Sequence, residues 1–268
     1  MPEFRHDSLR LHYEVHGGGW PVLMLHGGVS SFDHNYAQFG WVEALTSAGM
    51  QVVGLDFRGH GRSDRPHDPA SYGTDKLARD VLALLDHLRL RRVAVAAYSI
   101  GSLIATALMC REPARFSRAA LLATGDGLIG HSPHTLGELL PQLVTVFERE
   151  TYPRDLPRHQ SVYWKILEQV GGDRLAMRAL VSAAYPPLTR VEAAAIDVPT
   201  LVVSGELDPV AGRGPRLAAA LGRADYLEIA GADHFALAMD PTVREAVVRF
   251  LGAADRDAVV EPELDRRR

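Results

Sequence analysis

Short runs of apolar residues with almost no polar face alternate along this chain with stretches whose apolar residues recur every three or four positions. Val22-Leu23-Met24-Leu25 ends at His26-Gly27-Gly28, and Gln51-Val52-Val53-Gly54-Leu55 ends at Asp56-Phe57-Arg58-Gly59. Val93 to Ala97 and Ala119 to Ala123 have the same character. Strands that are apolar on both sides belong in a parallel sheet covered on both faces. Leu9 to Val15 alternates apolar with polar residues after Asp7-Ser8, which predicts antiparallel edge strands at the start. Trp41 to Ala48, closed by Gly49, reads as a short helix. Leu77, Ala78, Val81, Leu82, Leu85 and Leu88 make one stripe at helical spacing, with Thr74 positioned to cap that helix. Strand and helix in alternation predict right-handed crossovers and an α/β fold with a mostly parallel, doubly covered sheet.

From Asp126 to Arg190 the rhythm changes. No strand pattern occurs, and three amphipathic pieces are separated by Pro153, Pro157, Gly171-Gly172 and Pro186-Pro187. One face gathers Leu139, Leu143, Val146 and Phe147; a second Val162, Tyr163, Ile166, Leu167 and Val170; a third Leu175, Ala179, Leu180 and Ala183. A lid has to cover something, so some of these residues are expected to line a pocket, and Trp164 is taken as a substrate contact. Strand patterns resume at Pro199 to Gly205 and Tyr226 to Ala230, followed by a helix from Pro241 to Leu251. The expected organisation is a core of residues 1–125 and 191–252, a helical cap of 126–190, and a flexible, charged tail of 253–268.

Composition narrows the function classes. A net charge of −4, with basic residues scattered among acids, excludes a phosphate-binding surface and so a nucleic-acid partner. No run approaches the roughly 18 apolar residues of a membrane span, and the segment Met1-Pro2-Glu3-Phe4-Arg5-His6-Asp7 lacks the basic and apolar parts of a secretory signal. The single cysteine, Cys110, forms no internal disulfide, consistent with a cytoplasmic protein. In the lid, His131 and His134 are the only pair with suggestive spacing, and no Cys or carboxylate cluster joins them, so neither metal nor cofactor is expected.

Chemistry concentrates where strands end. Ala97-Tyr98-Ser99-Ile100-Gly101 places one serine where a strand must reverse into a helix, which lifts its hydroxyl clear and aims amides of the helix N-terminus at developing negative charge. Small residues two before and two after it keep so tight a turn free of collisions. Asp208 follows the strand Leu201 to Ser204, with Asp126 as a reserve acid, and His234 follows the strand Tyr226 to Ala230. In a parallel sheet these carboxyl ends share one edge. A serine hydroxyl needs an imidazole to take its proton, and the imidazole needs a carboxylate to set its tautomer. The amides of Gly28 and Ile100 are candidates for an oxyanion hole, while Gly27, Tyr98 and the segment Asp33-His34-Asn35, with His34 foremost, are candidate substrate contacts.

His26-Gly27-Gly28, Asp56 through Asp64, Ala97 to Gly101, Gly205-Glu206-Leu207-Asp208 and Asp233-His234-Phe235 together resemble the α/β-hydrolase superfamily over residues 4 to 252, in the group with a helical cap. Ala97 and Ser102 stand where that family commonly has glycine. The resemblance implies an eight-stranded sheet, Ser99 as nucleophile, His234 as base, Asp208 as acid, and Gly28 with Ile100 as oxyanion donors. It implies that Asp56 to Asp64 is a structural loop. Relatives that open epoxides or remove halide carry aspartate at the nucleophile, so Ser99 favours hydrolysis of a small carboxylic ester or lactone without cofactor. The alternatives are hydrolysis of a carbon–carbon bond in a vinylogous diketone, and a receptor that keeps the triad and signals by lid closure. Oligomeric state is not legible.

Overall fold

The computed structural model describes residues 2–130, 136–152 and 156–253. His131, His134 and the tail from residue 254 lie outside the described residues. Eight strands form one sheet: β1 (Glu3–His6), β2 (Leu9–His16), β3 (Trp20–Leu25), β4 (Met50–Leu55), β5 (Val93–Tyr98), β6 (Phe116–Leu122), β7 (Thr200–Gly205) and β8 (Ala224–Ile229). Their order is β1-β2-β4-β3-β5-β6-β7-β8. β2 pairs antiparallel with β1 and β4, and every later pairing is parallel. The alternating early segment thus becomes the antiparallel edge, and the uninterrupted apolar runs become the centre.

Those runs lack a polar side because both of their faces are packed. Leu23, Leu25, Val53, Leu55, Val93 and Val95 point into one core, shared with α3 (Thr74–His87) and α4 (Ile100–Arg111). The alternate residues Val22, Met24, Val52, Ala94 and Ala96 point into a second core, shared with α2 (Trp41–Ser47) and α10 (Pro241–Gly252). A single-turn helix, α1 (Phe32–Asn35), lies between β3 and α2. Fully burying a large aliphatic side chain contributes about 2 kcal/mol, so a one-residue slip of a central strand would exchange two complete sets of contacts.

Between β6 and β7 the chain inserts α5 (Leu136–Glu148), α6 (Arg158–Gln169), α7 (Arg174–Val181) and α8 (Arg190–Ala195). Leu139, Leu143, Val146 and Phe147 of α5 are buried together with Leu167, Met177 and Leu180. Leu175, expected on this inner face, is exposed, and Ala176 and Met177 take its place. The insert is tied to the core by the Thr74 amide donating to the Ala184 carbonyl (3.3 Å) and the His67 ring to Asp173 (2.8 Å), and its two ends are joined by the Leu188 amide donating to the Leu128 carbonyl (2.9 Å).

Two local expectations are corrected. The cap of α3 is Gly73, at φ 96°, and Thr74 is the first helical residue, with a buried hydroxyl that has no partner. A short helix, α9 (Pro215–Ala220), goes unanticipated because six residues are too few to display a period. Asp126 accepts the Arg216 and Leu217 amides of α9 (2.9 Å each), so the reserve acid is committed to capping that helix.

Candidate active site

β5 runs directly into α4, and Ser99 takes up the whole reversal at φ 53° and ψ −116°. A non-glycine residue there is strained by roughly 1–3 kcal/mol, held in place by its surroundings. The Ser99 amide donates to Leu122 of β6 (2.9 Å), and the Ser99 carbonyl accepts from Ser102 (2.9 Å). Gly101 is obligatory because a β-carbon at that position would sit 2.4 Å from the Leu25 carbonyl oxygen. Ser102 is accommodated through its hydroxyl, which lies 2.9 Å from the Ala97 carbonyl oxygen and 3.0 Å from that of Leu122.

The loops after β7 and β8 bring two further side chains to this turn. His234 Nε2 lies 3.0 Å from Ser99 Oγ, and His234 Nδ1 lies 2.8 Å from Asp208 Oδ2. The other carboxylate oxygen of Asp208 accepts the amides of Val210 (2.7 Å) and Ala211 (2.8 Å). Burial alone would raise the Asp208 pKa; attraction to His234, its hydrogen bond and these two amides overcome that and hold the carboxyl below its usual range. An ionised Asp208 requires the proton on Nδ1 of a neutral ring, which leaves Nε2 to accept from the serine hydroxyl. The Tyr98 hydroxyl donates to the His234 carbonyl, anchoring the loop that carries the imidazole.

Around Gly28 three successive amides have different fates. Gly27 donates to Asn35 Oδ1 (2.8 Å) and Val29, at φ 63°, donates to His60 Nε2 (3.1 Å). The half-buried Gly28 lies between them, and a β-carbon added to it would come within 3.9 Å of Ile100 Cγ2. The first residues of the loop after β3 and of α4 are therefore neighbours, as two backbone donors to one oxygen must be. His26 repeats the bracing: Nε2 accepts from the Phe57 amide (3.0 Å) and Nδ1 donates to the Gly27 carbonyl (2.7 Å). Burial pushes the His26 pKa down to about 4 and that of His60 to about 3, so both rings are neutral acceptors at ordinary pH. Asp56 completes the frame, accepting the amides of Phe32 (2.9 Å) and Arg62 (3.0 Å).

Ser99 and His234 open into a chamber of about 500 Å³ between the sheet edge and α6. Gly27, Gly28, Tyr98 and His34 line it, as do Tyr163 and Ile166 from α6. Trp164 does not. Its ring meets that of Tyr152 edge-on at 6.4 Å, and its Nε1 donates to Glu168 (2.9 Å). Successive helical residues point about 100° apart, so Tyr163 facing the chamber turns Trp164 away from it. Tyr163 and Ile166 share one helical stripe, which is the signal that marks them, and Trp164 lies off that stripe. His34 Nδ1 lies 3.0 Å from Ser30 Oγ, and burial lowers its pKa, partly offset by a hydrogen bond with Gln169 of α6. Among the described residues there is no group of three or more metal-ligating side chains, and no helix is long and apolar enough to cross a membrane.

A family model described as alpha/beta hydrolase fold matches residues 21–161. Over 134 residues the chain is 33% identical to a haloalkane dehalogenase of Psychrobacter cryohalolentis, an alignment covering 49% of this chain and 42% of that protein, so less than half of the relative's length is spanned. The AB hydrolase superfamily protein YisY of Bacillus subtilis is 28% identical over 236 residues, covering 76% of this chain and 80% of its own. Among solved structures, the enol-lactonase from Burkholderia xenovorans LB400 is similar at TM-score 0.71 and 26% identity, covering 93% of this chain and 99% of that one. Est816, described as an N-acyl homoserine lactone degrading enzyme, is similar at TM-score 0.72 and 25% identity, covering 92% and 99%.

Proposed function

The chain belongs to the alpha/beta hydrolase fold family, and from that premise we propose that it is a serine hydrolase cleaving a small, uncharged carboxylic ester or lactone through an acyl-enzyme on Ser99. The observation that carries this reading is the unbroken relay from Asp208 through His234 to Ser99, at 2.8 and 3.0 Å. His234 Nε2 takes the hydroxyl proton as Ser99 Oγ attacks the carbonyl carbon. The oxyanion rests on the Gly28 and Ile100 amides, each worth about 3 kcal/mol to the transition state. The tetrahedral intermediate collapses, His234 delivers its proton to the departing alkoxide, and the acyl ester remains on Ser99. Water then enters, loses a proton to Nε2 and releases the acid, restoring the serine.

Ser99 also separates this chain from its dehalogenase relative. Attack by an alkoxide on a halogenated carbon would leave a stable ether, whereas a carbonyl substrate leaves an ester that water can clear. The lactone-degrading neighbours support an ester or lactone bond. None of the described residues lining the chamber is Lys or Arg, which suits an uncharged substrate better than the enolate of a vinylogous diketone.

The test is covalent labelling by a fluorophosphonate, located by mass spectrometry, together with hydrolysis of a panel of simple esters and lactones. Labelling on Ser99 with turnover abolished in Ser99→Ala is expected. An unlabelled wild-type protein, or turnover intact in Ser99→Ala, would falsify the mechanism. A triad-bearing receptor would instead label but turn over slowly, with large stabilisation by intact ester.

A further inference from the structure

Ser99 and His234 face two cavities. Besides the chamber under α6, a niche of about 40 Å³ opens on the other side of the serine, bounded by Ile100, Leu103, Ala123, Leu128, Val210 and Ala211. A water needs roughly 10–15 Å³ of such space, so the niche has room for about three heavy atoms. Apart from Ser99, His234 and Thr124, the residues that wall it are apolar or glycine.

The niche is built rigidly. Gly125 passes so close to the loop after β7 that a β-carbon on it would lie 2.4 to 2.6 Å from the carbonyl oxygens of Gly212, Ala211 and Arg213. The Asp126 amide donates to Arg213 (2.8 Å), and the Asp126 carboxylate holds the start of α9. The Val210 and Ala211 amides are fixed by Asp208, and Leu128 is held through its carbonyl by Leu188. Ala123 is itself at φ 49°. Moving the niche's walls apart would break several of these backbone-held bonds together, whereas the chamber is roofed by side chains of one cap helix.

A carbonyl carbon attacked by Ser99, with its oxygen toward Gly28 and Ile100, carries two remaining substituents, and these must leave the reacting centre in different directions. We propose that the substrate is an ester with unequal arms: one arm of at most about three heavy atoms seated in the niche, the other extended, uncharged and seated in the chamber. This rests on the serine-hydrolase reading and specifies its substrate class. Leu128 and Val210 set the length of the short arm.

Two ester series followed by pH-stat test it: methyl esters of acetic to octanoic acid, and acetates of methanol to octanol. The expected result is that kcat/KM falls by roughly tenfold or more in one series once the varied arm outgrows the niche, while the other series holds level or rises, the scale of a misfit methylene in an apolar pocket. Which series falls tells whether the niche takes the acyl or the alkoxy arm. Hexyl hexanoate is poor in either case. Leu128→Ala should move the cut-off outward by about two carbons, and Val210→Ala provides the same readout if the first variant does not fold. Two level series, a good rate on hexyl hexanoate, or a cut-off unmoved in folded variants would overturn the proposal. If the protein meanwhile labels with fluorophosphonate and hydrolyses methyl acetate, the serine mechanism stands and the unequal arms alone fail; absent labelling refutes the mechanism itself.

Discussion

The two walls of the chamber are made by different physics. On the sheet side, nearly every polar atom near the serine is engaged: His26, Asn35 and His60 each take one backbone amide, Asp56 takes two, and Asp208 takes two while holding His234. On the cap side, Val162, Tyr163 and Ile166 present mostly apolar shape, with Gln169 at the edge. Directional bonds fix atoms to a few tenths of an ångström, and a proton relay needs that accuracy. Apolar contact excludes water and selects by size without fixing orientation. The sheet-side wall thus sets what reaction is possible, and the cap-side wall sets which molecule undergoes it.

The difference is broken most severely by removing the proposed nucleophile. Ser99→Ala is expected to lower kcat by ~10⁴-fold or more, and Asp208→Asn by about as much by presenting the wrong imidazole tautomer. Thermal midpoints should stay close to wild type in Ser99→Ala, since that variant also removes no core contact. Steady-state kinetics with melting curves checks both; a loss below tenfold in either variant would mean that the sheet-side wall does not carry the chemistry.

The bracing histidines predict a response to acid. In the unfolded chain their rings protonate near pH 6.5, whereas in the fold His26 resists to about pH 4 and His60 to about pH 3. Below pH 6.5 the unfolded state binds protons that the folded state refuses, so their contribution is intact above that pH and is lost as the medium acidifies toward 4. The loss approaches about 1.4 kcal/mol per pH unit for each ring. Denaturant unfolding between pH 7 and 4.5 should show this loss, and His60→Gln should lower the slope by up to about 1.4 kcal/mol per pH unit, the share of one ring. An unchanged slope in that variant would mean that the ring is not held neutral by burial.

How far the sequence revealed all this follows the same division. Strands that are apolar on both faces announce a parallel sheet, and such a sheet gathers its carboxyl ends, so Ser99, Asp208 and His234 were legible as neighbours despite separations of 109 and 26 residues in the chain. Backbone demands were legible too, since Gly101 sits where no side chain fits. The cap resisted because the rotation of α6 is decided by packing against α5 and the core, and local pattern narrows that rotation only to a stripe. Whether Gly73 or Thr74 caps the helix depends on a segment 110 residues further along, at Ala184, whose carbonyl takes the Thr74 amide. The double role of Asn35, which lines the chamber while holding the Gly27 amide, was likewise invisible without coordinates.

The cap-side wall should answer mutation in KM and specificity with little change in chemistry. Tyr163→Ala removes a ring that meets Phe235 edge-on at 5.4 Å beside His234. Its loss is expected to raise KM by about tenfold, a cost of ~1.4 kcal/mol, and to widen the range of extended arms accepted, with kcat within threefold or so. A kcat loss comparable to that of Ser99→Ala would show that the two walls are not separable.

The smallest effect belongs to Trp164, the expected substrate contact that does not line the chamber. Trp164 is buried, yet its ring packs on Tyr152 and its indole nitrogen bonds to Glu168, both away from the serine. Trp164→Phe keeps an aromatic ring there and loses one partly exposed hydrogen bond, worth about 1 kcal/mol of stability. Kinetic constants should stay within about twofold across the ester series, while the melting point drops by a few degrees. Tyr163→Ala and Trp164→Phe differ by one position on a single helix, so measuring them side by side reads the rotation of α6 in the working enzyme. A specificity change in Trp164→Phe as large as in Tyr163→Ala would mean that the helix turns on binding and brings the indole to the substrate.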